Sequence, residues 1–152
     1  MGFKLGKKPE DLFNKIKSES NKEVSVNHPV IRKKLEPGVQ AEANKEGTTF
    51  VDPSVDLNSE EGRNILAHEE AHHQQFGENW DTKLNKVVKE KNENTVPRFD
   101  YNNKFVFWEG KKIPRANMNE GSHQLEWEAD AEARVNKLKT KNKIKRNYYG
   151  WI

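Results

Sequence analysis

The chain of 152 residues contains no cysteine. That removes disulfide staples and thiolate ligands, so any bound metal must be held by histidine, aspartate or glutamate. A cysteine-free chain suits a reducing compartment, and it suits a small virion or effector protein equally, so localisation stays open. Hydrophobic residues are scarce too, at 32%, while charged residues reach 34%. No run approaches the ~18 apolar residues of a membrane span, and the N-terminus carries no signal-peptide apolar stretch. Met1-Gly2 opens like a myristoylation signal, but position 6 is Gly6 rather than Ser or Thr. The length suits one domain over 1–152 with a small core, gathered on residues such as Phe50, Val51, Ile65, Phe76, Trp80, Leu84, Val87, Trp108 and Trp127.

Against this sparse background one segment stands out. Ile65-Leu66-Ala67-His68-Glu69-Glu70-Ala71-His72 consists mostly of helix formers and contains His-Glu-x-x-His. Positions four apart on a helix lie one above the other, so His68 and His72 present both imidazoles to one point. Glu69 is about 100° round from His68, and its carboxylate borders that point without having to bind there. Two neutral nitrogen ligands beside a carboxylate are what a zinc-activated water requires. Asn58-Ser59-Glu60-Glu61 ahead of the motif offers an Asn N-cap with a carboxylate three residues on, and Gly77 supplies a stop.

A catalytic zinc wants three protein ligands and an open fourth position. Downstream, Gly121-Ser122-His123-Gln124-Leu125-Glu126-Trp127-Glu128-Ala129-Asp130-Ala131-Glu132-Ala133 also reads as one helix, with Glu126 and Asp130 on a shared face. His123, three residues before Glu126, is an alternative ligand or an oxyanion donor. Glu128 and Glu132 project elsewhere on that helix and read as solvated. His73 is about 100° round from His72 and reads as a packing or surface residue.

The pairing of HEEAH with EWEADAEA resembles the gluzincin metallopeptidases, in particular the small minigluzincin-like domains. The stretch from Thr48-Thr49-Phe50-Val51 through Ile65-Leu66-Ala67-His68-Glu69 to Gln74-Gln75 also resembles the metallopeptidase domain of phage and bacterial contractile injection-system proteins. Glu70 stands where that family has an apolar residue, and the Gln pair comes one position early. The resemblance covers roughly residues 40–135. It implies a Zn2+ cofactor held by His68, His72 and Glu126, with Glu69 as general base. It further implies that Asp130 accepts a hydrogen bond from the far nitrogen of a ligand imidazole. The expected fold class is α+β: a small, mainly helical zincin-like domain with the HExxH helix, a short strand or hairpin and a second ligand-bearing helix.

Along the chain, residues 9–19 read as a short amphipathic helix and Pro29 to Glu36 as a further turn or two. Thr48-Thr49-Phe50-Val51 is a short strand stopped by Asp52-Pro53. It either runs beside the cleft, as in that metallopeptidase class, or is an edge strand without a ligand role. Residues 79–91 place Trp80, Leu84, Val87 and Val88 at helical spacing, predicting another helix. Lys104 to Pro114 suggests a hairpin turning near Glu109-Gly110. From Ala133 to Ile152 there are seven positive charges and no acidic residue, followed by Tyr148, Tyr149 and Trp151. This tail, 134–152, suits either a solvated helix end complementing the dipole, the favoured reading with a net charge of only +3, or contact with nucleic acid, an acidic membrane or an acidic partner.

The expected function is zinc-dependent hydrolysis of a peptide or protein substrate. The alternative is a non-catalytic zinc-binding module of a phage virion or injection assembly, and a third reading is a protease acting on DNA-bound proteins. His123, Tyr101, Tyr148 and Tyr149 are the candidate oxyanion donors.

Overall fold

Ser59, not Asn58, starts the helix that carries the motif. Its hydroxyl accepts from the Gly62 amide at 2.9 Å, and Glu60 and Glu61 fill the first turn, where the helix dipole favours acids. The computed structural model describes residues 24–148, with side chains through 138. Helix α1 spans Glu60–Gly77 and ends at Glu78, whose amide returns to the Gln75 carbonyl at 3.2 Å. Helix α2 spans Glu126–Tyr148 and packs against α1.

The chain is far richer in strand than its sequence suggested. Among the described residues there are two helices and nine strands in three small sheets, which corrects the expected mainly helical domain. In the first sheet β1 (Val30–Arg32) runs parallel to β3 (Thr49–Val51), and β2 (Ala41–Ala43) pairs antiparallel on the other side of β3. Pro29 to Glu36 therefore holds a strand rather than helical turns. The second sheet has the order β5-β4-β6, from β4 (Asn79–Asp81), β5 (Lys86–Val88) and β6 (Thr95–Pro97). The third is a meander of β7 (Phe99–Tyr101), β8 (Phe105–Trp108) and β9 (Lys111–Pro114). The expected hairpin is β8–β9, turning through Glu109 at φ 52° and Gly110 at φ 80°, the left-handed pair that a tight hairpin turn requires.

The helix expected over 79–91 is the β4–β5 hairpin. Asp81 accepts from the amides of Lys83 and Leu84 at 2.9 Å each, and Asn85 adopts φ 56°, so the chain reverses where a helix would continue. Trp80 then sits across from Val87 on one side and Val96 on the other. Leu84 (59% exposed) and Val87 (39%) leave the expected core. The expected helix over 9–19 lies outside the described residues.

Two apolar clusters hold the helices. Between α1 and α2 lie Ala67, Ala71, Ala131 and Val135, together with Val24, and these small side chains let the two backbones approach closely. Under the third sheet, Phe99, Val106, Trp108 and Trp127 form an aromatic cluster against Phe76, with the Phe76 and Phe99 rings stacked at 4.8 Å. Trp127 thus anchors the first turn of α2 and determines which way the helix faces. Ion pairs around the buried Glu78 complete the join. Glu78 receives Arg98 at 2.9 Å and Arg134 at 3.0 Å, Arg98 also reaches Glu109 at 2.7 Å, and Arg134 reaches Asp130 at 2.8 Å. Arg134, counted with the basic tail in the sequence, is therefore an internal residue. No helix among the described residues is long and apolar enough to cross a membrane.

Candidate metal centre

The motif histidines do converge. His68 Nε2 lies 2.7 Å and His72 Nε2 3.2 Å from a single carboxylate oxygen, and the two rings stand nearly perpendicular at 4.9 Å between centroids. That oxygen is Oε1 of Glu128, not of Glu126. Glu126 accepts instead from Trp108 Nε1 at 3.0 Å and Lys111 Nζ at 2.9 Å, with its side chain 61% exposed. The cause is helical phase. Trp127, Ala131 and Val135 are the buried stripe of α2; at about 100° per residue Glu128 falls ~20° from Val135, whereas Glu126 falls on the opposite side. The spacing of Trp127, Ala131 and Val135 is the sequence signal that favours Glu128, where the resemblance of EWEADAEA to the gluzincins implied Glu126; how that stripe packs decides between them.

The ligand set is chemically suited to zinc, two imidazoles and one carboxylate with a side left open. At zinc–ligand distances of ~2.0–2.1 Å, tetrahedral ligand atoms lie ~3.3 Å apart. The His72–Glu128 separation of 3.2 Å already matches this, and the 2.7 Å contact from His68 would have to open by about half an ångström. Burial disfavours the Glu128 carboxylate, yet the hydrogen bonds from His68 and His72 bring its pKa down to about 2. For His72, burial works against the charged ring, but Glu128 and then Glu69 raise its pKa on balance.

Glu69 is buried beside the histidines, and its carboxyl is pushed above its ordinary range by that burial, with His72 and His68 pulling in the opposite direction. It lines a cleft of ≈ 860 Å3 that also exposes His68, His72 and Glu128 and is walled by residues 38–44 around β2. On either side of β2, the Gln40 carbonyl accepts from the Asp52 amide and the Asn44 amide donates to the Thr48 carbonyl, both towards the β3 side. By the alternation of an antiparallel pair, the amides and carbonyls of Ala41 and Ala43 point along the open edge.

The other expected site residues fall differently. Asp130 does not touch an imidazole; its Oδ2 accepts from Gln75 Nε2 at 2.8 Å, and Gln75 Oε1 lies 2.8 Å from His72 Nδ1. The carboxylate expected beside the ring thus acts through a glutamine. His123 is on the rim of the cleft, 79% exposed, and pairs with Glu132 at 2.8 Å, so it is neither ligand nor buried donor. Tyr101 lines the cleft, and its hydroxyl accepts from the Lys45 amide at 3.2 Å. The side chain of Tyr148 and all of Tyr149 lie outside the described residues.

A second histidine pair occupies the opposite side of α1. Glu70, only 3% exposed, accepts from the amides of Asn27 (3.1 Å) and His28 (2.8 Å) and meets His28 Nδ1 at 2.9 Å. This clasp explains an acid where the resembled family has an apolar residue: the carboxylate ties the chain before β1 to the helix. His28 and His73 stack at 4.0 Å within 16° of parallel, and His73 Nε2 meets Thr49 Oγ1 at 2.8 Å. Burial, and then the neighbouring His28, lowers the His73 pKa to about 4. His28, Glu70 and His73 are near enough to bracket a cation, but the in-plane lone pairs of stacked rings run side by side instead of converging.

No family model, curated protein or solved structure matches the chain.

Proposed function

We propose that the chain is a zinc-dependent metallopeptidase of gluzincin type, with His68, His72 and Glu128 as metal ligands and Glu69 as general base. The observation that carries this reading is the convergence of both motif imidazoles on one half-buried carboxylate oxygen, beside the buried carboxyl of Glu69, in the lining of an open cleft. Zinc held there would supply Lewis acidity, polarising a carbonyl and acidifying water.

The protein's own groups account for the rest of the chemistry. Glu69, with its raised proton affinity, takes a proton from the attacking water and returns it to the leaving amine. The open edge of β2 offers the amides and carbonyls of Ala41 and Ala43 to an extended peptide, which would add as a further strand beside the site. Tyr101 is the cleft residue with a hydroxyl proton to give to a developing oxyanion.

Metal analysis of the purified protein together with peptide-library cleavage tests the proposal. Wild type should bind one zinc and hydrolyse peptides. Glu69→Gln should keep the zinc and lose ~10²-fold or more in rate, the scale of general-base catalysis. Full turnover in that variant would refute the role of Glu69. Stoichiometric zinc in a wild type that cleaves nothing would favour the structural-module reading.

A further inference from the structure

We infer that Gln75 is the positioning residue of this centre: it selects the tautomer of His72 and locks the two ligand-bearing helices in register. The inference rests on the metal-site reading above. Gln75 is fully buried. Its Nε2 lies 2.9 Å from the Trp127 carbonyl and 2.8 Å from Asp130 Oδ2. A carbonyl and an ionised carboxylate only accept, so both amide protons are committed there. The amide oxygen must then face His72, at 2.8 Å from Nδ1. A flipped amide would oppose oxygen to oxygen at two buried contacts, so the network itself assigns the orientation. Nδ1 of His72 therefore carries a proton, and in the neutral ring Nε2 is left with a free lone pair directed at Glu128 Oε1, 3.2 Å away.

The second half of the role follows from where the amide's partners sit. Trp127 and Asp130 flank Glu128 on α2, while His72 and Gln75 are one turn apart on α1. One side chain thus grips a ligand on its own helix and both sides of the ligand on the other. Arg134 backs Asp130 at 2.8 Å and reaches Glu78 at the end of α1, which keeps the acceptor in place. Sequence distance alone would leave His72 and Glu128 free to slide past one another; the amide forbids it. A glutamate at position 75 would put a second carboxylate against Asp130, which is a physical reason for the neutral side chain here.

Zinc affinity measured by chelator competition tests this, beside the visible spectrum of the Co2+-substituted protein and the unfolding midpoint of the metal-free form. Gln75→Met keeps the volume and removes the acceptor. It should bind zinc ~10–100-fold more weakly, the usual cost of losing a ligand's orienting partner, with an altered Co2+ spectrum. A purely structural Gln75 would lower the midpoint and leave both metal readouts of the folded protein unchanged; that result overturns the inference. Should the variant not fold, 15N-histidine NMR of zinc-loaded wild type decides. A protonated, slowly exchanging Nδ1 on His72 with zinc on Nε2 supports the role, and zinc on Nδ1 refutes it. Wild type that binds no zinc would overturn the metal reading itself, whereas normal wild-type affinity with an unaffected variant removes only Gln75.

Discussion

Exchanging the carboxylates at 126 and 128 one at a time distinguishes the geometry of the centre most sharply. Glu128→Gln retains size and leaves an amide, a poor zinc ligand, 2.7 and 3.2 Å from the two imidazole nitrogens. Structural zinc sites with four ligands bind with ~10–16 kcal/mol, or ~2.5–4 kcal/mol for each ligand. At 1.4 kcal/mol per tenfold, loss of Glu128 should weaken zinc by about 10²–10³-fold. Glu126→Gln removes an exposed pair with Lys111 and keeps an acceptor for Trp108. It should cost at most ~1 kcal/mol of stability and leave zinc affinity within about twofold. Competition against a chromophoric chelator reads both variants, with the metal-free unfolding midpoint as the control for folding. Zinc lost in Glu126→Gln and kept in Glu128→Gln would show that the helical phase argued from Trp127, Ala131 and Val135 is mistaken.

Three further outcomes concern the scaffold. A Cβ at Gly62 would lie 2.1 Å from the Asp56 carbonyl oxygen, a backbone atom that cannot easily yield, so Gly62→Ala should destabilise by ~2 kcal/mol or more. Thermal unfolding would register that as a drop of about 5 °C, and an unchanged midpoint would show that the loop gives way. Arg134→Met leaves the buried Glu78 with Arg98 alone and Asp130 with only the longer 3.8 Å pair to Arg98; chemical denaturation should show a loss of ~3–5 kcal/mol. Asp52 accepts from the Leu35 amide and from the amide and hydroxyl of Ser54, and these bonds hold its pKa at about 2. A carboxylate with a depressed folded-state pKa contributes fully above its unfolded value near 3.8 and loses that contribution as pH falls towards 2. An acid titration of the unfolding midpoint should therefore be shallower over that window in Asp52→Asn than in wild type.

What the sequence made legible was local. The motif helix, the convergence of His68 with His72, the strand ending at Val51 and the turn at Glu109-Gly110 each depend on residues within a few positions of one another. Helical periodicity brings two histidines together whatever the rest of the chain does, and Gly110 at φ 80° needs no distant partner. Residues 79–91 were not legible for the converse reason. Trp80, Leu84, Val87 and Val88 satisfy a helical spacing, and what decides for strand is the pairing of Trp80 with Val87 and with Val96, the latter in a strand beyond that window.

The same division runs through the site. Sequence alone determined the chemistry on offer: two imidazoles on one helical face, an adjacent carboxylate, no thiol, and a later helix rich in acids. Only tertiary structure decided which acid on that helix meets the imidazoles. Rotation of α2 about its axis is governed by burial of Trp127 in the aromatic cluster and of Ala131 and Val135 against α1, with the Arg134 pairs to Glu78 and Asp130 reinforcing the same orientation. That rotation turns Glu128 inward to His68 and His72, sends Glu126 out to Lys111, and seats Asp130 on Gln75.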